Sequence, residues 1–250
     1  MLQQTQTSRV EDPWCRFLGR FPTPSECADA PLADVLRLWS GLGYHRRAKN
    51  LHEAARVMRD DFDGQVPDEV AKLLALPGIG RYTANAVASF AFGRRVAVVD
   101  TNVGRVLARA IANRSLSPRE AQACADELLP RRGVADFNQA MIDLGAQFCR
   151  ATPRCDGCPV GAACRWRRER GVDPAPGSAG VSRPQPAFLG SDRQLRGRLI
   201  AELRRAPSTR SQLLRLAGTE PAPRFQSVMA GLVDDGLVHL KRGRYELPAS

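Results

Sequence analysis

The sequence has no long apolar run and no leader-like opening. No stretch approaches the roughly 18 apolar residues of a membrane-spanning helix, and no charged segment followed by an apolar stretch opens the chain. These absences argue against a membrane protein and against a secreted one, and they predict a cytoplasmic location. Hydrophobic residues still make up 43% of the 250 residues, which is enough to bury the cores of two or three domains.

Acidic residues are scarce compared with basic ones. The 26 Asp and Glu face 37 Lys and Arg, for a formal net charge of +11 and a pI near 10.1. A balance this basic favours a polyanionic partner, because each phosphate that is neutralised releases counterions. An Arg-rich chain with a generally basic surface would show the same balance, so charge alone leaves nucleic-acid binding open.

Cysteines are few outside one short segment. Three of the seven are scattered along the chain: Cys15, Cys27 and Cys124. The other four form the pattern Cys149-x5-Cys155-x2-Cys158-x5-Cys164. In a cytoplasmic protein such a cluster indicates a metal site and argues against a disulfide framework. Four thiolates can bind either zinc or a [4Fe–4S] cluster, and their spacing alone leaves both open.

Apolar spacing predicts that the first 170 residues are nearly all helical. Two stretches place apolar side chains on one helical face: Leu32, Val35, Leu36 and Trp39, then Ala48, Leu51, Ala55 and Met58. Residues 171–187 are rich in Pro, Gly and Ser and are predicted to be a linker. Beyond it, three amphipathic helices precede two alternating stretches that meet at Arg242-Gly243, a pattern typical of a winged helix. Such units bind DNA in some proteins and other proteins in others.

The strongest local signal is the segment Leu76–Gly80, Leu-Pro-Gly-Ile-Gly, followed by a helix that begins near Tyr82. Two glycines, Gly78 and Gly80, permit a tight turn with positive φ and leave no Cβ to obstruct a ligand. Backbone N–H groups at such a turn, with a helix N-terminus behind them, form a seat for an anion. We therefore predict a helix-hairpin-helix motif that holds a DNA phosphate through Leu76, Gly78 and Gly80. An ordinary helical connection with glycine at the turn is the alternative.

Asp100 follows an apolar run and precedes a helical pattern that starts with Asn102 and Val103. An aspartate at such a place is commonly no more than a helix N-cap. A carboxylate beside a partly apolar cleft can also stabilise a developing sugar cation, by electrostatics or as a nucleophile. Because Asp100 lies twenty positions after the last glycine of the hairpin, a catalytic role is favoured.

With these motifs the chain resembles the endonuclease III superfamily of helix-hairpin-helix glycosylases, and within it the A/G-specific adenine DNA glycosylases of the MutY type. Three further blocks carry the resemblance: Met1–Gln6 (MLQQTQ), Trp39–Tyr44 (WSGLGY) and Phe137–Ala146 (FNQAMIDLGA). It covers about residues 1–168. It implies a mostly α-helical fold, with a six-helix barrel and its helix-hairpin-helix over residues 1–95 and an iron–sulfur cluster domain over 96–170. The linker over 171–187 and the winged-helix-like unit over 188–250 complete the predicted domains.

The resemblance also implies a substrate and a partner. The substrate would be adenine mispaired with 8-oxoguanine or guanine in double-stranded DNA, bound by a monomer with no membrane partner, in the cytoplasm beside the bacterial nucleoid. The adenine would be rotated out of the base stack at a cost of roughly a few kcal/mol.

Site residues follow from the same resemblance. Gln3, Gln4 and Tyr44 fall on the positions that fill or pry apart the base stack. Asp100 falls on the catalytic aspartate, with the DNA-binding Asn102 beside it. The four clustered cysteines fall on the ligands of a [4Fe–4S] cluster, which favours the cluster over zinc.

Tyr82 separates two branches of the superfamily. The bifunctional endonuclease III enzymes carry a lysine at this position, whose amine forms a Schiff base and enables strand cleavage. A tyrosine cannot do that chemistry, so the resemblance implies hydrolysis of the N-glycosidic bond alone, with Tyr82 supporting Asp100. A tyrosine that only packs against the barrel is the alternative.

Three departures from the family pattern bear on the function. The family's general acid is a glutamate just upstream of the Met-Leu-Gln-Gln segment, and neither Glu11 nor Glu26 matches it. General acid catalysis supplies a factor of about 10²–10⁴ in rate, so the sequence as written predicts an enzyme of very low activity. A misassigned start codon or a genuine loss of activity would each explain the missing glutamate. The first cysteine spacing is x5 where the family usually has x6. A winged-helix-like tail also replaces the Nudix-like domain of many members.

Three functions remain open on the sequence. The first is excision of mispaired adenine. The second is an endonuclease III-like glycosylase and lyase for oxidised pyrimidines, against which Tyr82 and the paired Gln3 and Gln4 argue. The third is a catalytically inactive DNA-binding protein, which the missing glutamate supports.

Overall fold

The computed structural model describes residues 1–178, 187–218 and 221–249. Residues 179–186, which belong to the predicted linker, lie outside the described residues. Most of the described chain is helical, so the predicted mostly α-helical fold class is confirmed. It divides into two compact units. The first contains Met1–Pro67, Leu76–Gly78 and the described residues of Gln185–Ser250, and the second contains Asp68–Ala75 and the described residues of Ile79–Pro184.

The α-helices, in chain order, are α1 (Glu11–Arg20), α2 (Pro24–Asp29), α3 (Leu32–Leu38), α4 (Arg46–Asp61), α5 (Val70–Ala75), α6 (Arg81–Ala86), α7 (Thr101–Val106), α8 (Pro118–Glu127), α9 (Val134–Gln147), α10 (Arg165–Glu169), α11 (Asp192–Leu203), α12 (Arg210–Ala217) and α13 (Ala222–Asp234). A 3₁₀ turn (Thr7–Arg9) precedes α1, and π-helical turns continue α6 (Val87–Ala91) and α7 (Leu107–Ala112). The strands are β1 (Ser208–Thr209), β2 (His239–Lys241) and β3 (Arg244–Glu246).

One apolar core holds the first unit together, and both the N-terminal and the C-terminal residues contribute to it. The predicted apolar faces of α3 and α4 are buried or partly buried, and Val35 and Leu36 have no exposed surface. Helices α11, α12 and α13 add buried side chains to the same core: Leu195, Leu199, Ile200, Leu213, Phe225 and Leu232. Because each such side chain contributes roughly 1.5–3 kcal/mol when it is buried, the C-terminal residues are an integral part of this unit.

The C-terminal residues form the predicted three helices and hairpin, with one strand added. Strand β2 pairs antiparallel with β3, with Leu240 opposite Tyr245. At the tip, Arg242 and Gly243 have φ of 50° and 75°, the left-handed values that the commonest two-residue hairpin turn requires. The two-residue strand β1 pairs with the other edge of β3, giving the order β1-β3-β2. No apolar alternation marks so short a strand, so no pattern in the sequence predicts it.

Polar contacts also fix the C-terminal residues to the N-terminal helices. The Ala33 N–H donates to the Pro248 carbonyl at 3.0 Å. The Lys49 ammonium donates to the Asp235 carbonyl at 2.8 Å. These contacts join segments about 200 residues apart in the chain, so they are available only after the C-terminal residues have been made.

The second unit is built around the packing of α7 against α9. Its core contains the apolar side chains Ala97, Val103, Leu107, Leu116, Ala121, Ala125, Leu129 and Val134. The described start of the predicted linker belongs to this unit and is packed: Ala175 and Ser178 are buried, and Ser178 Oγ accepts the Leu116 N–H at 3.1 Å. Composition therefore predicts the absence of a helix or strand here but not the packing. Among the residues that the structure describes, no helix is long and apolar enough to cross a membrane.

His45 is a buried titratable group at the start of α4. Its Nε2 lies 3.0 Å from an Arg204 guanidinium nitrogen, which can only donate, so the ring accepts. Burial, together with the smaller effect of the positive charges of Arg204, Arg196 and Arg47, lowers the pKa of His45 to about 4. The folded protein therefore holds this ring neutral at pH values where the unfolded chain protonates it.

We expect His45 to make the protein less stable as the pH falls from about 6.5 toward about 4, because only the unfolded state takes up the proton in that window. Above about 6.5 both states are neutral and the contribution is constant. The full difference between the pKa values of the folded and unfolded states corresponds to a loss of roughly 3 kcal/mol in the free energy of unfolding. The free energy of unfolding of His45→Asn should fall less with pH than that of the wild type. The exposed His239→Asn serves as control, and an equal pH slope in all three proteins would contradict the assignment.

Candidate active site

The predicted hairpin turns at Gly78, and the structure shows why glycine is needed there. Gly78 has φ of 73°, and a Cβ at this position would lie 2.5 Å from Asn50 Nδ2. Gly80 has an ordinary φ of −90°, and no atom lies within 4 Å of where its Cβ would be. Leu76 was predicted among the DNA-binding residues, but its side chain is buried. A phosphate could therefore be held only by the backbone of Leu76, as the sequence analysis expects of this turn, and that role stays a prediction.

Helix α6 begins directly after Gly80, and no side chain caps it. The first amides of a helix carry a partial positive charge and lack partners within the helix. With the open space beside Gly80, this end of α6 has the properties expected of a phosphate seat.

Asp100 caps helix α7 and remains half-exposed. Its Oδ1 accepts the Val103 N–H at 2.7 Å, and its Oδ2 accepts the Asn102 side-chain amide at 2.8 Å. The two interpretations of Asp100 that the sequence left open are therefore compatible, because capping fixes the carboxylate without burying it. A carboxylate with both oxygens held in this way keeps one orientation while charge develops nearby.

Tyr82 lies on the first turn of α6 and is 44% exposed. Burial of the phenol raises its pKa, and the negative charge of Asp100 raises the pKa further. Tyr82 is therefore a neutral hydrogen-bond donor at neutral pH, placed within the electrostatic reach of the Asp100 carboxylate.

Two buried side-chain amides hold the extended segment that leads to Asp100. Asn138, in α9, donates to the Val96 carbonyl and to Ser89 Oγ, both at 2.9 Å, and accepts the Val98 N–H at 3.1 Å. Asn85, in α6, donates to the Ala97 carbonyl at 2.9 Å. An extended segment outside a sheet leaves its backbone groups without partners, and these amides supply them.

Asn102 is linked in turn to the cysteine segment. Its Oδ1 accepts from the Arg105 guanidinium at 2.6 Å, and the same guanidinium donates to the carbonyls of Cys149 at 2.6 Å and Gly145 at 3.1 Å. A continuous set of hydrogen bonds therefore connects the Asp100 carboxylate with the backbone of the first clustered cysteine. Neither Arg105 nor Asn85 was predicted from the sequence.

The four clustered cysteines line one cavity together with apolar side chains such as Leu144 and Phe148. No three His, Cys, Asp or Glu side chains of the described residues are grouped closely enough to hold a single metal ion. Four half-buried thiols around an apolar-walled cavity are nevertheless a donor set that fits an iron–sulfur cluster.

Arg109 closes the cavity on one side, with its side chain only 1% exposed. It pairs with both carboxylate oxygens of Asp173, at 2.5 and 2.8 Å. It also donates to the carbonyls of Arg150 at 2.6 Å and Ala151 at 3.1 Å, and to Cys149 Sγ at 3.5 Å. This guanidinium places a positive charge beside the thiols and fixes the loop that carries the first of them.

In the first unit, Arg47 draws the N-terminal segment and the loop before α4 together. Its guanidinium donates to the carbonyls of Met1 at 2.8 Å and Gln3. It also donates to the carbonyls of Leu42 at 3.0 Å and Gly43 at 3.3 Å. Two segments predicted to enter the base stack, at Gln3 and just after Gly43, are therefore neighbours in space although about 40 residues separate them in the chain.

The structure places the predicted site residues in two groups. The first unit contains Gln3, Gln4, Tyr44, Leu76 and Gly78, and the second contains Gly80, Tyr82, Asp100, Asn102, Cys149, Cys155, Cys158 and Cys164. Two arginines that were not predicted join some of these residues within their unit: Arg47 contacts Gln3 and the loop before α4, and Arg105 joins Asn102 to Cys149. One signal was present: Arg105 and Arg109 interrupt an otherwise apolar helical stretch, one turn apart.

We expect Gly145→Ala to destabilise the protein by about 1–3 kcal/mol, the usual cost of overpacking. A Cβ on Gly145 would lie 2.5 Å from the Asn102 carbonyl oxygen, and a backbone oxygen cannot turn aside as a side chain can. The measurement is the free energy of unfolding in denaturant. Gly197→Ala in α11 is the control, because nothing lies within 4 Å of its Cβ position. Equal destabilisation by the two variants would show that close packing of α9 on α7 is not needed.

Known proteins resemble this chain in sequence and in fold. Residues 1–131 match the family described as HhH-GPD superfamily base excision DNA repair protein. An adenine DNA glycosylase of Mycobacterium tuberculosis is 46% identical over 257 aligned residues, which cover 99% of this chain and 83% of that protein. The human adenine DNA glycosylase is 41% identical over 67% of this chain and 32% of its own length.

Solved structures agree with the sequence relatives. A thermostable thymine-DNA glycosylase superposes with a TM-score of 0.61 at 28% identity, over 67% of this chain and 80% of that one. An endonuclease III in a non-covalent complex with DNA superposes with a TM-score of 0.58 at 30% identity, over 68% and 80%. The chain therefore belongs to the HhH-GPD superfamily of base excision DNA repair proteins, and within it to the family of the adenine DNA glycosylases.

Proposed function

We propose that this protein removes adenine mispaired with 8-oxoguanine or guanine from duplex DNA, by hydrolysis of the N-glycosidic bond. The observation that carries the proposal is the pair formed by the fixed, half-exposed Asp100 carboxylate and the neutral Tyr82 phenol. The similarity to adenine DNA glycosylases along nearly the whole chain supports the base. The similarity to an endonuclease III bound to DNA supports DNA as the molecule that carries this base.

In the proposed reaction the bond between the sugar C1′ and the adenine nitrogen breaks, and its electron pair leaves with the base. The positive charge that develops on the sugar is stabilised by Asp100, whose orientation is fixed before the reaction, so little reorganisation is needed. Water then adds to C1′ and loses a proton, and the departing base takes up one proton, so the products are neutral adenine and an abasic site.

Tyr82 explains why the strand should not be cleaved after the base has left. A phenol has no amine with which to form a Schiff base at C1′, so the abasic strand stays intact. Because its pKa is raised, Tyr82 also carries no negative charge that would compete with Asp100 for the sugar cation.

The DNA is proposed to be held at several places. The open start of α6 would bind a phosphate through backbone amides. Gln3, Gln4 and Tyr44 would enter the base stack, which offsets part of the cost of extruding the adenine. These contacts do not depend on the base sequence around the mispair, which suits an enzyme that must find a mispair anywhere in the genome.

We expect Asp100→Asn to lower the single-turnover rate of adenine release at least about a hundredfold, while the affinity for mispaired duplex changes little. The substitution removes the charge that stabilises the sugar cation but keeps the size of the side chain. Asp143→Asn is the control, since Asp143 is exposed in α9, where its carboxylate accepts the Gln139 side-chain amide at 2.9 Å.

The same assay separates the alternatives. The substrates are duplexes with A opposite 8-oxoguanine or guanine, and the products are free adenine and strand length without added base or heat. Because the resemblance places a general acid before Met1, the assay includes a version extended by any residues encoded in frame upstream. Strand nicking by the wild type would favour an endonuclease III-like activity. Binding without release of any base, in both versions, would overturn the proposed function.

We also propose that Cys149, Cys155, Cys158 and Cys164 hold a [4Fe–4S] cluster. The support is the all-cysteine donor set around one cavity and the buried Arg109 beside it. When bound, the cluster cross-links the loop between α9 and α10 and thereby contributes to folding. Arg109 would orient the Cys149 thiolate and offset its negative charge.

Purified protein is expected to be brown and to contain about four irons per chain and no stoichiometric zinc. Cys155→Ser should lose most of the iron and unfold at lower denaturant concentration, because one ligand is removed. Cys15→Ser is the control, since Cys15 is exposed and lies outside the cluster pattern. A colourless protein with one zinc per chain would overturn the assignment while leaving the glycosylase proposal standing.

A further inference from the structure

The loop that presents Tyr44 has an unusual backbone. Gly41, Gly43 and Tyr44 have φ of 83°, 66° and 47°. Glycine adopts such values freely, but a tyrosine in the left-handed region is held there against its preference. The surroundings of Tyr44 must therefore fix it.

Among the described residues, two guanidinium groups contact the Tyr44 side chain. Arg47 comes from the adjacent helix α4, with its guanidinium carbon 5.4 Å from the centre of the Tyr44 ring. Arg193 comes from α11, 149 positions later in the chain, and donates to the Tyr44 hydroxyl at 2.8 Å. The guanidinium carbon of Arg193 also lies 5.7 Å from the Tyr44 ring centre and 5.4 Å from that of Phe188.

Arg193 is itself fixed by the core of the first unit. Ser191 caps α11 by accepting the Gln194 N–H at 3.2 Å. Leu195 and Leu199, on the following turns, are buried in the core shared with α3 and α4. The guanidinium therefore reaches Tyr44 from a rigid support, so the contact can set the direction of the ring.

We propose that Arg193 is a positioning residue for Tyr44, through which the C-terminal residues take part in opening the base stack. This inference rests on the proposed function, in which Tyr44 enters the stack beside the mispair. The C-terminal residues would then act directly on the DNA-probing loop, in addition to stabilising the fold.

The test compares Arg193→Ala, Arg193→Lys and the control Arg205→Ala. Arg205 lies just after α11 with its side chain 83% exposed, so its removal costs the same charge without touching Tyr44. The probe is a duplex carrying 2-aminopurine next to an A:8-oxoguanine pair, whose fluorescence rises when the neighbouring stack opens. We expect Arg193→Ala to lower this signal about tenfold more than Arg205→Ala does. Arg193→Lys keeps the positive charge, so it should recover affinity for the duplex. It should recover only part of the fluorescence signal, because an ammonium group lacks the planar set of donors that a guanidinium has.

A double-mutant cycle separates positioning from charge. Tyr44→Phe removes only the hydroxyl that accepts from Arg193, so its effect on stack opening should be much smaller in the Arg193→Ala background than in the wild type. Additive effects of the two substitutions, or an unchanged signal in Arg193→Ala with normal stability, would overturn the inference. If the wild type opens the stack but releases no adenine, the proposed function fails while the cycle still decides the role of Arg193.

Discussion

The proposed chemistry depends on a single negative charge that is held still. The Asp100 carboxylate receives one hydrogen bond from the start of α7 and one from Asn102. The helix N-terminus also stabilises a negative charge through its dipole. A carboxylate on a flexible loop would point into water before the reaction and would have to reorient as the cation formed, which would cost part of the stabilisation. The helix cap is therefore part of the proposed mechanism as well as part of the fold.

Holding that charge requires polar groups in the protein interior, which is costly unless they are paired. The extended segment before Asp100 belongs to no sheet, so its backbone needs partners from side chains. Asn138 supplies two of these bonds and Asn85 a third. Gly145 then lets α9 approach α7 closely enough for this set to form. Two residues of the FNQAMIDLGA block, Asn138 and Gly145, thus serve the backbone that leads to Asp100 and the packing around it.

The sequence predicted the parts of the fold that depend on local patterns. Helical faces, the glycine turn at Gly78 and the C-terminal hairpin follow from periodicity and φ requirements. The shared core of the N-terminal and C-terminal residues was not predicted, because an apolar face shows that a helix is buried but not against what. The division into domains at residues 95, 170 and 187 stays a prediction. The packing of the start of the predicted linker was not predicted for a related reason. Asp173 is held there by an ion pair with Arg109, which lies far away in the sequence.

The arginines were the hardest residues to predict, because arginine is usually found at the surface. Arg47, Arg105 and Arg109 instead turn inward and bind carbonyl oxygens of irregular loops. Each guanidinium offers five N–H donors in a plane, so one side chain can satisfy several carbonyls that no helix or sheet serves. Guanidinium groups that bind carbonyl oxygens inside the protein are not available to contact DNA, so the net charge of +11 overstates the attraction for phosphate.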